Sequence, residues 1–327
     1  MVNMTRSYYP WLTASWSKLD DYRQQNALPN ALMVIGEKGL GYQELVETFA
    51  NSIVCTMLGS NGLACGDCDA CRMFAAGSYP DFILVTPEED ESTIKIAAIR
   101  KLIKLLSLSR QYDKQRIVVI SPVDEMLRQA SNSLLKTLEE PHDGTTLILV
   151  AHKLANIPAT IRSRCQTISS RLSTTGVMLE WLQQQGCEEP KTYLNLANGS
   201  PLYAKQLWSN NALTIRNEVF ALWLDVVNRK IDPLIFSERC VKLKEYPLSA
   251  WIASWLTDAI RLSYDDSRES ITNTDLLGNL KLLIKKLHLK TLFVLFDQIL
   301  EISHFESGQV NKQLLFDEFA IKCVAKN

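Results

Sequence analysis

The residues with the clearest chemical potential are three cysteines at two-residue gaps, Cys65-Gly-Asp-Cys68-Asp-Ala-Cys71, preceded by Cys55. Four thiolates suit a closed tetrahedral Zn²⁺ site, and short gaps containing glycine let a turn direct two sulfurs inward. An iron–sulfur cluster of the bacterial type requires a Cys-Pro pair soon after the third cysteine, whereas Arg72 follows here. The spacing predicts one structural Zn²⁺ held by Cys55, Cys65, Cys68 and Cys71, with unliganded loop thiols as the alternative.

A glycine-rich loop is the second landmark. Gly36-Glu-Lys-Gly39-Leu-Gly41 follows an apolar run and precedes a helical pattern, which is the setting of a phosphate-binding loop. Such a loop continues with a lysine that holds the β- and γ-phosphates and a hydroxyl that holds Mg²⁺. Tyr42 and Gln43 stand there instead. The loop is therefore expected to be degenerate and not to support ATP hydrolysis, unless Lys38 substitutes for the missing lysine.

The acidic pair of an ATPase is also displaced. The apolar run Arg116–Ile120 should end in Asp-Glu, but Ser121-Pro122 follow it, and Asp124 and Glu125 come just beyond. Since Pro122 ends the strand, we interpret the two acids as the start of the next helix, where they favour its N-terminal dipole. A shifted catalytic pair is the alternative.

The hydrophobic pattern of the chain predicts which strands and helices carry these residues. The predicted strands are Leu32–Ile35, Phe82–Thr86, Arg116–Ile120, Thr146–Ala151 and Gln166–Ser169, and the helical patterns between them lie near Tyr42–Met57, Ile94–Ser109 and Met126–Leu138. Continuous apolar strands that alternate with helices predict a parallel sheet covered on both faces. Beyond about Arg171 only helical patterns remain, including Thr192–Trp208. An α/β domain is thus expected to precede helical domains.

Composition bounds the functional classes. The chain has 327 residues, 46% of them hydrophobic, and a formal net charge of −1. This length suggests two or three domains of about 150 residues. The charge gives no gross attraction to nucleic acid or membranes. Without an apolar run of about 18 residues no membrane span is expected, and without an apolar signal core the protein is expected to be cytosolic.

A basic stretch lies in the first half of the chain, with the cations Lys95, Arg100, Lys101, Lys104, Arg110, Lys114 and Arg116. Apolar residues interleave with these cations at helical spacing. We interpret the stretch as a solvated helix face. The alternative is a surface that follows nucleic-acid phosphates, with steep salt dependence.

Two longer motifs carry a family resemblance. Ala130-Ser-Asn-Ser-Leu-Leu-Lys-Thr-Leu-Glu-Glu-Pro141 resembles the signature helix of the clamp-loader branch of the AAA+ family, and Ile157-Pro-Ala-Thr-Ile-Arg-Ser-Arg-Cys165 resembles its Ser-Arg-Cys motif. The four cysteines are similar to the zinc module inserted after the phosphate-loop helix. Within this branch the chain resembles the delta-prime subunits of bacterial DNA polymerase III. The resemblance is specific from about Tyr9 to Ser170 and weak beyond Asn211.

The resemblance implies a domain organisation and partners. An AAA+ α/β domain is expected at 1–170 with a zinc module at about 55–71, a small helical lid at 171–208, and an all-α collar at 209–327. The implied assembly is a five-subunit ring with gamma/tau and delta subunits, which opens the sliding clamp and places it on primed DNA. It works in the bacterial cytoplasm, at the nucleoid-associated replisome.

The resemblance also assigns a role to Arg164. On the residues alone, a solvated or capping arginine is the better interpretation. The Ser-Arg-Cys motif instead implies an exposed arginine finger that reaches ATP on a neighbouring subunit, where a planar guanidinium can bond the γ-phosphate through two donors.

Four departures from the ATPase subunits suggest that the chain does not hydrolyse ATP. They are Tyr42-Gln43, Ser121-Pro122, Leu202 in place of a sensing arginine, and His152 or Ala151 in place of a sensing threonine. Two alternatives remain. The chain could be an active gamma/tau-type ATPase, or a zinc-dependent DNA-binding protein with a vestigial AAA+ core.

Overall fold

A computed structural model describes residues 8–88, 91–112, 114–169, 175–264, 271–304 and 311–324. The chain divides into two compact units. The first contains Met1–Trp181 and Ser200–Leu202, and the second contains Leu182–Gly199 and Tyr203–Asn327. The division expected at 170/171 falls outside the described residues, so the three-domain organisation stays a prediction.

The first unit is built on a five-stranded parallel sheet. Its strands are β1 (Ala31–Ile35), β2 (Phe82–Val85), β3 (Arg116–Ile120), β4 (Thr145–Ala151) and β5 (Gln166–Ser169). The strand order is β2-β3-β4-β1-β5, and every neighbouring pair is parallel. All five predicted strands are confirmed, each to within one residue at either end. Because the strands are parallel, the loops that follow β1, β3 and β4 leave the same edge of the sheet.

The helices of this unit are α1 (Thr13–Gln24), α2 (Tyr42–Val54), α3 (Asp69–Ala75), α4 (Ile96–Leu106), α5 (Arg128–Glu139) and α6 (Ala159–Arg162), with α7 (Thr175–Gln184) starting in it. Two of them are shorter than predicted for a local reason. Cys55 is extended at the end of α2, with φ −60° and ψ 139°. Lys95 is extended before α4, with φ −81° and ψ 159°.

Apolar residues cover both faces of the sheet. On one face Met33 and Val118 join a buried cluster with Leu102 of α4 and Leu134 of α5. On the other, alternate residues such as Val34 are fully buried. Every residue of β3 and β4 is buried. These two interior strands are thus shielded from water on both sides, as the unbroken apolar runs predict.

The second unit is helical throughout its described residues. It contains the end of α7, then α8 (Pro190–Leu196), α9 (Pro201–Ser209), α10 (Ala212–Val227), α11 (Pro233–Lys242), α12 (Leu248–Tyr264), α13 (Leu277–Lys286), α14 (Leu289–His304) and α15 (Lys312–Val324). The stretch predicted as helical at Thr192–Trp208 consists of two helices, α8 and α9. Asn198 and Gly199 have φ of 50° and 84°, values that a right-handed helix cannot contain.

Aromatic side chains form the core of this unit. The rings of Phe220 and Trp255 lie 4.8 Å apart, and Trp223 lies 6.0 Å from Trp255. A parallel α/β sheet followed by an all-helical part confirms the expected fold class, an α/β module with a helical C-terminal region. Across the described residues, every helix is too short or too polar to span a membrane.

Candidate functional site

The four predicted zinc ligands lie together. Their sulfur atoms are all within 4.8 Å of one another. Cys55 Sγ is 3.6 Å from Cys65 Sγ and 4.0 Å from Cys68 Sγ, and Cys65 Sγ is 4.0 Å from Cys71 Sγ. A tetrahedral Zn²⁺ with bonds of about 2.3 Å holds its sulfurs about 3.8 Å apart. The cluster therefore has the size of a closed four-thiolate site.

Two helix ends and a tight turn position the sulfurs. Cys55 immediately follows the last residue of α2, and Cys68 caps the N-terminus of α3, with its sulfur accepting from the Cys71 amide. Between them, Gly66 has φ 80°, in the left-handed region that favours glycine. The amides of Asp67 and Cys68 point at Cys65 Sγ from 3.5 and 3.4 Å. These N–H groups stabilise a thiolate.

The electrostatics of the cluster also favour a cation. Amide hydrogen bonds from Asp67 and Cys68 lower the pKa of Cys65. At Cys68 burial opposes ionisation, but hydrogen bonds from Thr56 and Cys71 outweigh it and lower its pKa to about 6. Burial raises the pKa of Cys55 and of Cys71. Four thiolates this close repel one another, so full ionisation needs a compensating positive charge such as Zn²⁺.

The glycine-rich loop keeps its fold but is occupied by its own side chain. Gly39 and Gly41 have φ of 80° and 84°, and Gly41 precedes the first residue of α2. The ring of Tyr42 lies against Gly36, so closely that a Cβ placed there would be 1.8 Å from the ring. Tyr42 is only 3% exposed. An apolar ring thus stands where a phosphate-binding loop carries its lysine.

Hydrogen-bonded side chains occupy the positions from which an ATPase would hold Mg²⁺. Ser121, at the end of β3, donates to Gln43 Oε1 over 2.9 Å, and Gln43 Nε2 donates to Glu47 over 2.9 Å. His152 Nδ1 lies 2.9 Å from the carbonyl oxygen of Gly36. Three of the four departures read from the sequence therefore meet at one edge of the sheet, and two of them are joined by a hydrogen bond.

Residues distant in the sequence, from the N-terminal segment and from Ser200, also contact the glycine-rich loop. The Tyr9 ring lies against Gly41, and Trp11 Nε1 donates to the carbonyl of Leu40 over 2.8 Å. Ser200 Oγ donates to the carbonyl of Gly39 over 3.0 Å. Sequence reasoning missed these contacts, because nothing in the spacing of Tyr9 or Trp11 indicates that they return to the loop.

Asp124 has a structural role. Its two carboxylate oxygens accept from the amides of His152 and Lys153 at 2.8 and 3.0 Å. The expectation that Asp124 and Glu125 start the next helix is wrong, since they lie in a separate short 3-10 turn and α5 begins at Arg128. The bonds to both oxygens favour a cap on the loop after β4 over a shifted catalytic acid.

Arg164 lies in the short connection between α6 and β5. Its Nε donates to Glu139 Oε1 over 2.8 Å, and its Nη2 forms an ion pair with the same oxygen. Its Nη1 donates to the carbonyl of Thr160 over 2.7 Å. The side chain is 32% exposed, so it is more buried and better paired than the exposed guanidinium that the motif implied. Nothing in the sequence indicated that Glu139 is the partner of Arg164.

The basic stretch is divided between surface and core. Arg100, Lys101 and Lys104 are exposed on α4. Arg116, by contrast, is buried and its Nε lies 3.1 Å from Asp81 Oδ1. Arg116 therefore cannot belong to a surface that binds phosphates. The three cations on α4 fit the solvated helix face that the spacing suggested, whereas Arg110 and Lys114 lie beyond the end of α4.

Comparisons with known proteins identify the family of this chain. A family model described as DNA polymerase III, delta subunit, matches residues 12–173, and one described as its C-terminal part matches residues 210–323. DNA polymerase III subunit delta' of Pseudomonas aeruginosa is 32% identical over 274 residues, which cover 82% of each chain. This chain belongs to the delta-prime family of DNA polymerase III subunits.

The similarity to other delta-prime subunits covers nearly the full length of this chain. The subunit of Yersinia pestis is 28% identical over 330 residues, covering 95% of this chain and 94% of its own. That of Escherichia coli is 24% identical over 322 residues, covering 96% and 95%. Membership of the delta-prime family confirms the resemblance drawn from the signature helix and the Ser-Arg-Cys motif.

Proposed function

We propose that this chain is a non-hydrolysing clamp-loader subunit of DNA polymerase III. In this role it helps to load the sliding clamp onto primed DNA in the bacterial cytoplasm, and it lends Arg164 to ATP held by a neighbouring gamma/tau-type subunit. The assembly in this proposal rests on the relatives, which are named as DNA polymerase III subunits. The three-part division into AAA+ domain, lid and collar belongs to the same proposal.

The observation that carries the proposal is the Tyr42 ring packed against Gly36. An ATPase needs that space for phosphate and needs a lysine and a Mg²⁺ ligand beside it. Here a buried ring fills it, and the Gln43–Ser121 hydrogen bond links the two positions from which Mg²⁺ is held. The chain nevertheless keeps Arg164, which lies between α6 and β5 and not in the glycine-rich loop. A catalytic group that lacks a substrate in its own subunit suits action in trans.

The four cysteines complete the proposal as a structural Zn²⁺ site. Cys55, Cys65, Cys68 and Cys71 would hold the ion with four sulfurs, leaving no position open for water. The ion would tie the end of α2 to the start of α3. Lys114 Nζ donates to the carbonyl of Cys55 over 3.2 Å and secures the same corner.

Arg164→Ala tests the proposed role. We expect the variant to fold, keep its zinc and join the complex, since a partly exposed ion pair contributes at most about 1 kcal/mol. ATP turnover and clamp loading by the reconstituted complex should fall. Loss of a main arginine finger costs on the order of 10³–10⁵ in rate, and less where only one of several ring sites is affected. Arg164→Lys should rescue poorly, because an ammonium lacks the two-donor fork.

The measurement is DNA-stimulated ATP hydrolysis by complexes that contain gamma/tau and delta subunits and differ only at residue 164. Arg162→Ala is the matched control, since Arg162 is an exposed arginine two residues earlier. Equal rates for the wild type and Arg164→Ala would leave this subunit a purely architectural role.

A further inference from the structure

The guanidinium of Arg164 is engaged on both of its paired-donor edges. One edge, formed by Nε and Nη2, faces a single oxygen of Glu139. On the other edge, Nη1 donates to the carbonyl of Thr160 over 2.7 Å and approaches Ser163 Oγ at 3.4 Å. Glu139 is the last residue of α5, so the contact joins the signature helix to the Ser-Arg-Cys motif.

This arrangement conflicts with action on a phosphate. An arginine recognises a phosphate through two parallel N–H bonds from one edge. In this structure Glu139 takes one edge and the backbone takes half of the other. The carboxylate also brings a negative charge to the place where a second anion would have to bind, and the two would repel each other.

The contact is nevertheless one that a nucleotide can displace. The Arg164 side chain is 32% exposed and that of Glu139 is 49% exposed, so both can turn into water. Exposed pairs of this kind are weak because water and salt screen them. A polyphosphate carries several charges and offers oxygens to both edges, so it can compete successfully for the guanidinium.

We propose that Glu139 is a positioning residue that holds Arg164 in a withdrawn arrangement until ATP on the neighbouring subunit displaces it. This inference rests on the proposed function of Arg164 and adds the condition under which it acts. When ATP arrives, the guanidinium exchanges the carboxylate for the γ-phosphate, and Glu139 turns to solvent. In the absence of ATP the arginine stays neutralised within its own subunit.

Glu139→Gln is the decisive variant. Glutamine keeps the length and one acceptor oxygen but removes the competing charge. In the reconstituted complex, we expect the KM for ATP to fall roughly 1.5-fold to fivefold, the range of an exposed ion pair, with kcat nearly unchanged. Glu140→Gln is the control, because Glu140 is an exposed carboxylate adjacent in the chain and should leave both constants as in the wild type.

A second comparison tests whether Glu139 acts through Arg164. In an Arg164→Ala background, Glu139→Gln should produce no further change. If Arg164→Ala is impaired while Glu139→Gln matches the wild type, the role of Glu139 is wrong and that of Arg164 stands. A fall in kcat with Glu139→Gln would also overturn the inference, because the carboxylate would then support the active arrangement. If Arg164→Ala equals the wild type, the trans arginine itself is wrong.

Discussion

Tyr42 shows how one residue changes the use of a whole loop. In an ATPase the corresponding lysine projects toward phosphate, whereas the Tyr42 ring folds back on Gly36 and is 3% exposed. Gln43 then accepts a hydrogen bond from Ser121, which links α2 to β3. The loop backbone keeps its turns at Gly39 and Gly41, with φ of 80° and 84°.

The purified chain is therefore expected to show no ATP turnover. The γ-phosphoryl transition state needs a lysine and Mg²⁺ ligands, and Tyr42, Gln43 and Ser121 supply neither. Phosphate release from the isolated subunit should match that of a buffer control. Lys38, exposed in the loop, is the candidate substitute for the missing lysine, so Lys38→Ala should change nothing. Turnover that disappears on Lys38→Ala would show that the loop is active.

At the scale of elements, the cysteine module brings together the ends of two helices, α2 and α3. Cys55 follows α2, and Cys68 and Cys71 belong to the start of α3. The loop between them has little apolar material, and Met57 in it is 63% exposed. Small modules with so little core depend on metal binding for their folding free energy.

We expect the purified chain to contain about one Zn²⁺, measured by metal analysis. Cys68→Ser should sharply reduce this content and loosen α3 while the sheet stays folded, as hydrogen exchange can report. Cys187→Ser is the control, because Cys187 lies outside the cluster. Zinc should also leave as acid protonates the thiolates. Iron with visible absorbance, or no metal at all, would contradict the zinc site.

At the scale of the whole molecule, the second unit separates core aromatics from surface ones. Trp223, Trp251 and Trp255 are at most 2% exposed, so they pack internally and cannot face a partner. On α14, by contrast, Phe293 is 42% exposed and Val294 is 45% exposed. Large exposed apolar side chains on one helix suit a contact with another subunit.

We therefore predict that Phe293→Asp weakens assembly with gamma/tau and delta subunits by about tenfold or more, the effect of losing a well-buried interface anchor. Its thermal unfolding should match that of the wild type, since the side chain lies outside the core. Leu108→Asp, at a 62% exposed position of the first unit, is the matched control. The measurement is affinity by titration into the partner subunits. A chain truncated near Trp208 that joins the complex undiminished would contradict a role for the C-terminal helices.

Much of the site followed from residue types. The four cysteines and the missing lysine are local patterns, and the structure brings the four sulfurs together as their spacing predicted. The displaced acids were misplaced, since Asp124 and Glu125 lie in a separate 3-10 turn and α5 begins at Arg128. Arg164 was located by its motif, but its pairing was not, because Glu139 lies 25 residues earlier in the chain. Likewise, the burial of Arg116 depends on Asp81, 35 residues away, and no periodicity relates the two.

The sequence by itself determined the strands, the parallel sheet and the clustering of the four cysteines, because hydrophobic period and short gaps between cysteines act over a few residues. It also determined that Tyr42 and Gln43 stand where a phosphate-binding loop carries its lysine and hydroxyl. Only the tertiary structure decided that Tyr42 fills the loop, that Gln43 meets Ser121, and that Arg164 is held by Glu139. These contacts join segments that are brought together by strand order and helix packing, and a side chain of Arg164's length can satisfy several partners. Which partner it meets depends on the fold around it.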